Sequence, residues 1–374
     1  MINDKEQQPI LLTPGPLTTA RSTREAMLRD WGSRDAAFIE MNARVRDHVV
    51  RIADAVGTHV CVPVQGSGTF AVEATIGTLV PRGGKLLVLV NGAYGQRMVK
   101  ICQVAGIACV AHEWPELEPV SAAVTGQLLD ADPGITNVAV VHCETTTGML
   151  NPVEAVAAVV AERKRSLIID AMSAFGAIEL SARRVRYDAL AASSNKCLEG
   201  APGMGYAVIR TEVLKTCEGQ ARSLSLDLYD QWRGLEKTKQ WRFTPPTHVL
   251  AAFDRALRSH EEEGGVAGRG ARYRENCRVL VDGMRAMGFQ TALPDELQAP
   301  IIVTFLLPKD PRFAFETFYQ CLARRGFLIY PGKLTKADTF RIGCIGHVQP
   351  DDMRRALVAV RESLDEMGVK ECAP

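Results

Sequence analysis

The chain has 374 residues, 47% of them hydrophobic, with 44 basic against 43 acidic side chains for a formal charge of +1. That supports roughly two to three domains with a large core and excludes disorder as the main state. The balanced charge gives no electrostatic reason to expect nucleic acid or an anionic membrane as partner.

No apolar run is long enough for a membrane span, and the start, Met1–Gln8, is polar without the apolar core of a signal peptide. Ten cysteines are scattered with no CxxC pair, so neither a zinc ribbon nor a thioredoxin-like site is expected. No His/Cys/Asp cluster has metal spacing, so no metal is expected. The expectation is a reduced, cytoplasmic, enzyme-sized protein.

Short apolar runs then alternate with helix-length stretches. Predicted strands are His59–Val64, Lys85–Val90, Ile107–Ala111, Asn137–His142 and Ser166–Asp170. Each is near-continuously apolar, as strands buried on both faces of a parallel sheet must be. Helices are predicted over Phe70–Leu79, Tyr94–Ala105 and Val153–Arg163, the last behind Pro152, a residue suited to a helix start. This order predicts an α/β domain with a mainly parallel sheet. Farther on, a long helix is predicted over Arg272–Met287. Strands Ile301–Leu306 and Phe340–Cys344 then mix with helices Phe313–Arg325 and Asp351–Met367, a pattern of a smaller α+β domain. The Gly-rich stretch Glu263–Gly268 marks the expected junction.

Ligands of open α/β sheets bind beyond the carboxyl ends of the strands, so the residues after each strand carry the functional information. Gln65-Gly66-Ser67-Gly68-Thr69 follows the first. Small residues at a strand-to-helix turn let backbone N–H groups reach a phosphate; the plain alternative is a tight turn capped by Ser67 or Thr69. Gly66–Ala71 also fits a dinucleotide fingerprint, the basis of a rival nicotinamide-dependent oxidoreductase. That motif wants an acid at the end of the second strand, and Val90-Asn91-Gly92 has none.

Tyr94 follows the second strand, where an aromatic stacks on a planar ring or simply packs. Three hydroxyls, Thr145 to Thr147, follow the fourth. Asp170 ends the fifth, where a buried acid needs a partner. Lys196 sits among small residues before the turn Gly200–Gly203. A desolvated lysine loses its proton readily and forms Schiff bases, although a lone lysine is ordinarily surface charge.

Gly-rich turn, aromatic, hydroxyl loop, strand-end Asp and then lysine is the order found in pyridoxal-phosphate enzymes of the aspartate-aminotransferase fold. The chain resembles their class V, small-aminotransferase branch, which includes the alanine–glyoxylate and serine–pyruvate aminotransferases. Within that branch it is most similar to the aminotransferases acting on 2-aminoethylphosphonate and pyruvate. The resemblance rests on Leu11–Thr18, Gln65–Thr69, Ser194–Cys197, Gln240–Thr247, Tyr330–Thr335 and Phe340–Gly346, of which Tyr-Pro-Gly-Lys-Leu-Thr is the more specific.

It implies an N-terminal segment 1–15 near the active site, a large cofactor-binding domain 16–265 and a small domain 266–374. It further implies Lys196 as the Schiff-base lysine, Asp170 on the pyridine nitrogen and Tyr94 stacked on the ring. Ser67, Gly68 and Thr69 would hold the phosphate, and Thr145 would bond the ring-hydroxyl region. Thr244 would reach the phosphate of the neighbouring subunit in a homodimer. Relatives often carry Trp or His at the positions of Tyr94 and Thr69. Arg341 would grip the substrate anion as a planar fork suited to phosphonate and carboxylate alike, with Arg34 and Lys333 the next candidates. The implied reaction moves the amino group of 2-aminoethylphosphonate to pyruvate. The alternative is an alanine–glyoxylate or serine–pyruvate type exchange. A cysteine desulfurase needs a reactive cysteine on a mobile loop, whereas Cys321 and Cys344 lie in apolar contexts.

Overall fold

A computed structural model describes residues 8–334 and 338–374. Most of the polar start Met1–Gln8, and Thr335 of the Tyr330–Thr335 segment, lie outside the described residues.

Seven strands form the central sheet. In chain order they are β1 (His59–Gln65), β2 (Lys85–Val90), β3 (Ala108–Glu113), β4 (Ile135–Val141), β5 (Ser166–Asp170), β6 (Ala189–Ser193) and β7 (Met204–Arg210). Their spatial order is β1-β7-β6-β5-β4-β2-β3, parallel except for β7, which runs antiparallel to both neighbours. The five strands expected from sequence are all present. β6, Ala-Leu-Ala-Ala-Ser, carries residues of poor strand propensity and was not expected; it is held by complete burial between β5 and β7.

Helices cover both faces. α1 (Ala36–Ile52) packs one face through Phe38, Met41, Val45 and Val49. α2 (Gly68–Leu79) and α3 (Ala93–Ala105) pack the other, through Ala71, Ile76, Met98 and Cys102. α4 (Val153–Glu162) and α5 (Thr247–Glu262) complete the first face. Each face therefore has its own core, which is why the strands read as continuous apolar runs.

At the expected junction, Glu263 and Gly264 form the turn after α5. α6 spans Gly265–Ala286, so the glycines read as a linker largely belong to the helix. Within that stretch Gly268 serves a close approach: a Cβ there would lie 1.9 Å from the carbonyl oxygen of Glu263. A smaller antiparallel sheet follows, built from β8 (Ile302–Leu306), β9 (Tyr330–Pro331) and β10 (Thr339–Gly343), with β10 in the middle. α7 (Phe315–Arg324) and α8 (Pro350–Met367) back it around Phe289, Phe305, Phe318 and Phe340. Ile10–Leu11 pairs with Phe327–Leu328 in a separate two-stranded sheet, which ties the chain's early residues beside this smaller sheet before they cross toward the larger one.

Candidate active site

Ser67, Tyr94, Thr145, Asp170 and Lys196 come from five different strand ends: β1, β2, β4, β5 and β6. All five strands are parallel to one another, so these residues gather at one sheet edge. A cavity of about 320 Å³ is lined there by Ser67, Gly68, Thr69, Tyr94, Asp170 and Lys196, together with Gly15, Arg97 and Met172.

The Lys196 Nζ donates to the carbonyl of Pro14 at 2.6 Å. Gly15 lies against it: its φ is +114°, and a Cβ there would sit 2.8 Å from Nζ. The Thr13–Pro16 segment therefore closes over the lysine and needs glycine at that point. Burial lowers the Lys196 pKa to about 8, with Arg341 and Lys333 adding to the fall and Asp170 opposing it. A substantial neutral fraction at mild pH makes this amine a nucleophile.

Asp170 is 5% exposed. Its Oδ1 accepts from the amide of Met172 at 2.9 Å. Burial raises its pKa to about 6, against the pull of that hydrogen bond, Arg97 and Lys196. The carboxylate thus lacks a close cation, the environment in which a protonated ring nitrogen would lower its energy.

At the N-terminus of α2 the Ser67 hydroxyl makes no capping bond to the helix, so the capped-turn alternative does not hold for Ser67. The first-turn amides of such a helix have no intrahelical acceptor and attract anions. A Cβ on Gly68 would fall 2.2 Å from Met172 Sδ, so a larger residue there would push the Met172 side chain aside where the turn meets the Asp170 loop. Thr69 Oγ1 accepts from Arg97 Nη1 at 3.0 Å. The Arg97 guanidinium lies 4.7 Å from the Tyr94 ring centroid. Thr145 Oγ1 and Ser173 Oγ are 2.6 Å apart, linking the hydroxyl loop to the turn after Asp170. A helix N-terminus for phosphate, an aromatic face, a desolvated lysine and a buried acid without a cation fit pyridoxal phosphate.

Arg341, on β10, is 1% exposed. Its Nε donates to the Pro331 carbonyl and its Nη1 to the Thr145 carbonyl, both at 3.0 Å. Among the described residues no carboxylate forms an ion pair with it. Thr244 is not brought to this cavity. It is exposed and lines a separate cavity of about 520 Å³ with Gly66, Phe70, Trp241 and Phe243. Arg34 is exposed and does not line the lysine cavity. Cys321 and Cys344 are both buried.

Sequence reasoning missed Arg97 and Glu144. Arg97 stands one helical turn after Tyr94, a spacing that places both on one helix face. Glu144 is completely buried: its Oε1 accepts from the Thr146 hydroxyl at 2.7 Å while Oε2 finds no partner among the described residues. Burial raises its pKa to about 7, despite bonds from Thr146. It fills the space beside Gly92, where a Cβ would lie 2.4 Å from its Cδ. Nothing in the local sequence distinguishes it from a loop acid.

The Aminotransferase class-V family matches residues 24–333. The chain is 55% identical over 366 residues to a 2-aminoethylphosphonate–pyruvate transaminase of Cupriavidus necator, covering 98% of this chain and 97% of that one. A protein of the same description from Pseudomonas aeruginosa is also 55% identical, with 98% and 99% covered. Among solved structures, pyridoxamine–pyruvate aminotransferase from Mesorhizobium loti superposes with a TM-score of 0.88 at 24% identity, covering 99% of this chain and 95% of that one. Alanine–glyoxylate aminotransferase from Nostoc gives 0.87 at 22%, covering 97% of each. These two likenesses bear out the aspartate-aminotransferase-like α/β fold. With the family match spanning most of the sequence and the relatives nearly all of it, the chain belongs to the class-V aminotransferases, enzymes that work with pyridoxal phosphate.

Proposed function

We propose that this aminotransferase moves the amino group of 2-aminoethylphosphonate to pyruvate, giving phosphonoacetaldehyde and L-alanine. The observation that carries this reading is the 55% identity over 98% of the chain to a curated 2-aminoethylphosphonate–pyruvate transaminase, and the buried Arg341 guanidinium, without a carboxylate partner among the described residues, offers the anion site it needs. An uncompensated buried cation is costly and marks the place of a ligand anion. The curated relatives named for this reaction support it.

Pyridoxal phosphate, when bound, supplies an electrophilic aldehyde and a ring that withdraws electrons from the substrate carbon. Lys196 would hold it through Nζ, and its free amine would move a proton at the substrate carbon as base and then acid. Asp170 would keep the ring nitrogen protonated, Tyr94 would pack on the ring, Thr145 would bond its hydroxyl region, and Ser67, Gly68 and Thr69 would take the phosphate. Arg341 orients the anionic end of each substrate in turn.

The active unit is a homodimer in which Thr244 reaches the phosphate of the neighbouring subunit. Its exposure beside Phe243, which is 51% exposed, at a cavity bordered by the Gly66 turn supports this. Ten unpaired thiols support a reducing, cytoplasmic setting.

The test is direct. Purified holoenzyme should form phosphonoacetaldehyde and L-alanine from 2-aminoethylphosphonate and pyruvate, and borohydride should fix the cofactor on the Lys196 peptide. Turnover only with serine or alanine and glyoxylate would replace this substrate assignment by the alternative. Label on another lysine would overturn the role of Lys196.

A further inference from the structure

The Tyr330–Thr335 segment was the most specific sequence feature, yet the chemistry above uses none of its side chains. Its backbone, however, holds Arg341. β9 pairs with β10 so that Tyr330 lies opposite Arg341. Pro331 then takes the Nε proton of that arginine. Two of the five guanidinium N–H groups are therefore committed to main-chain carbonyls. The planar fork expected to grip either substrate is thus partly committed to holding its own position.

The next residues explain how a second cation arrives. Gly332 donates its amide to the Thr339 carbonyl at 2.8 Å. A Cβ there would lie 1.9 Å from Thr339 Oγ1 and 2.4 Å from that carbonyl oxygen. Only glycine permits so tight a pinch, and Lys333 emerges directly from it. Burial and the charges of Arg341 and Arg97 lower the Lys333 pKa, and Lys333 in turn acts on Lys196. Among the described residues Lys333, Arg341 and Arg97 form no ion pair with a carboxylate. A single unpaired surface lysine means nothing. Lys333 stands two residues past the Pro331 carbonyl that holds the Arg341 Nε, so a second cation is placed beside the buried guanidinium, and a multiply charged anion would offset both.

We propose that Lys333 is a specificity-determining residue that pairs with the second negative charge of the phosphonate, while Arg341 serves the charge common to phosphonate and carboxylate. This rests on the substrate assignment made above. A phosphonate resembles a phosphomonoester, with roughly −1.5 to −2 charge at pH 7, whereas the pyruvate carboxylate carries one negative charge. Lys333 thus separates amino donors by charge, a task Arg341 alone cannot perform.

The experiment compares wild type, Lys333→Met and Lys333→Arg holoenzymes. The amino donors are 2-aminoethylphosphonate and its singly charged carboxylate counterpart, 3-aminopropanoate, and pyruvate is assayed as acceptor. Lys333→Met should lower kcat/KM for the phosphonate about tenfold, mainly through KM, with little change for 3-aminopropanoate or pyruvate. Lys333→Arg should restore most of the loss. A cofactor absorbance spectrum identical to wild type verifies that the variants are loaded and folded. Equal losses for all three substrates, or none, would overturn the proposal while leaving the substrate assignment standing. A wild type inactive on 2-aminoethylphosphonate would instead overturn that assignment and this proposal with it.

Discussion

Two clusters of buried charge lie on either side of Cys197, and they are built differently. Behind it, Arg269 and Arg272 meet Glu199 and Glu263. Arg272 reaches Glu199 and Glu263 at 2.7 Å each, and Arg269 reaches Glu263 at 2.7 Å. Tyr273 donates to Glu199 at 2.6 Å, and the Arg272 Nη1 caps the carbonyls of Gly346 and Val348. Two cations balance two anions, and Arg269 also donates to the Cys197 carbonyl. In front of it, Lys196, Asp170 and Arg341 are buried or nearly so, and no ion pair joins them. Buried ionic groups with partners fix a loop; buried ionic groups without them await a ligand. The paired cluster ties down the loop after Lys196, while the unpaired one is left open to a ligand.

The largest effect expected from breaking this contrast is on stability. Arg272→Ala would leave Glu199 and Glu263 short of a partner and should cost about 3–5 kcal/mol. The melting temperature should fall while kcat per folded molecule stays near wild type. Asp170→Asn should do the reverse. It removes a carboxylate whose burial is unfavourable in the apoprotein, so the melting temperature should hold or rise. Transamination should drop on the order of a hundred- to a thousandfold, because the amide cannot keep the ring nitrogen protonated. If Asp170→Asn unfolds the protein and Arg272→Ala spares it, the two clusters have been assigned the wrong way round.

Arg341→Ala comes next, with a loss of about a hundredfold in kcat/KM for both substrates and an unaltered cofactor spectrum. A lower melting temperature with unchanged kinetics would make Arg341 structural.

The members of the unpaired cluster were legible in sequence for different reasons: Asp170 ends a strand that the β-α alternation locates, Lys196 stands among small residues before a Gly/Pro turn, and Arg341 interrupts an apolar strand. Asp170 after Ser-Leu-Ile-Ile and Lys196 before Gly-Ala-Pro-Gly needed no tertiary information. The paired cluster was not legible. Glu199 and Arg272 are distant in sequence, and no local rule brings a loop acid to a helix of another layer. Glu144 and β6 stayed hidden for related reasons, since their burial is imposed by neighbours. The opening of α6 was hidden as well, because Gly265 and Gly268, which begin that helix, look in sequence like a linker.

A smaller effect sharpens the account of Lys196. With burial lowering its pKa to about 8 from 10.5, the neutral amine dominates above that pH. Cofactor uptake by the apoprotein should therefore rise about tenfold per pH unit below 8 and level off above it. Peptide mapping after borohydride reduction at each pH follows the rate at this one residue. A rate still climbing steeply at pH 10 would mean a solvated lysine.

The smallest signal is in the acid stability of the apoprotein, where the two clusters should pull in opposite directions. Burial pushes Glu263 up, but hydrogen bonds and charge from Arg272 and Arg269 outweigh it and hold its pKa at about 2, below the ordinary 4.5. A depressed folded-state pKa means stability that is present above pH 4.5 and lost as the pH falls toward 2. Asp170 is raised instead, to about 6 from 3.8. Its folded form binds the proton more tightly than the unfolded chain does, so it contributes stability in acid that fades as the pH rises from 3.8 through 6. Denaturant titrations of wild type, Glu263→Gln and Asp170→Asn between pH 3 and 7 separate the two. Glu263→Gln should lose the acid-sensitive part of the curve, its deficit against wild type shrinking as the pH falls. Asp170→Asn should gain on wild type as the pH rises toward 7. The second trend should vanish in holoenzyme, where the ring nitrogen supplies the missing partner, while the first remains. Persistence of both trends after cofactor loading would mean that the Asp170 carboxyl does not meet the ring.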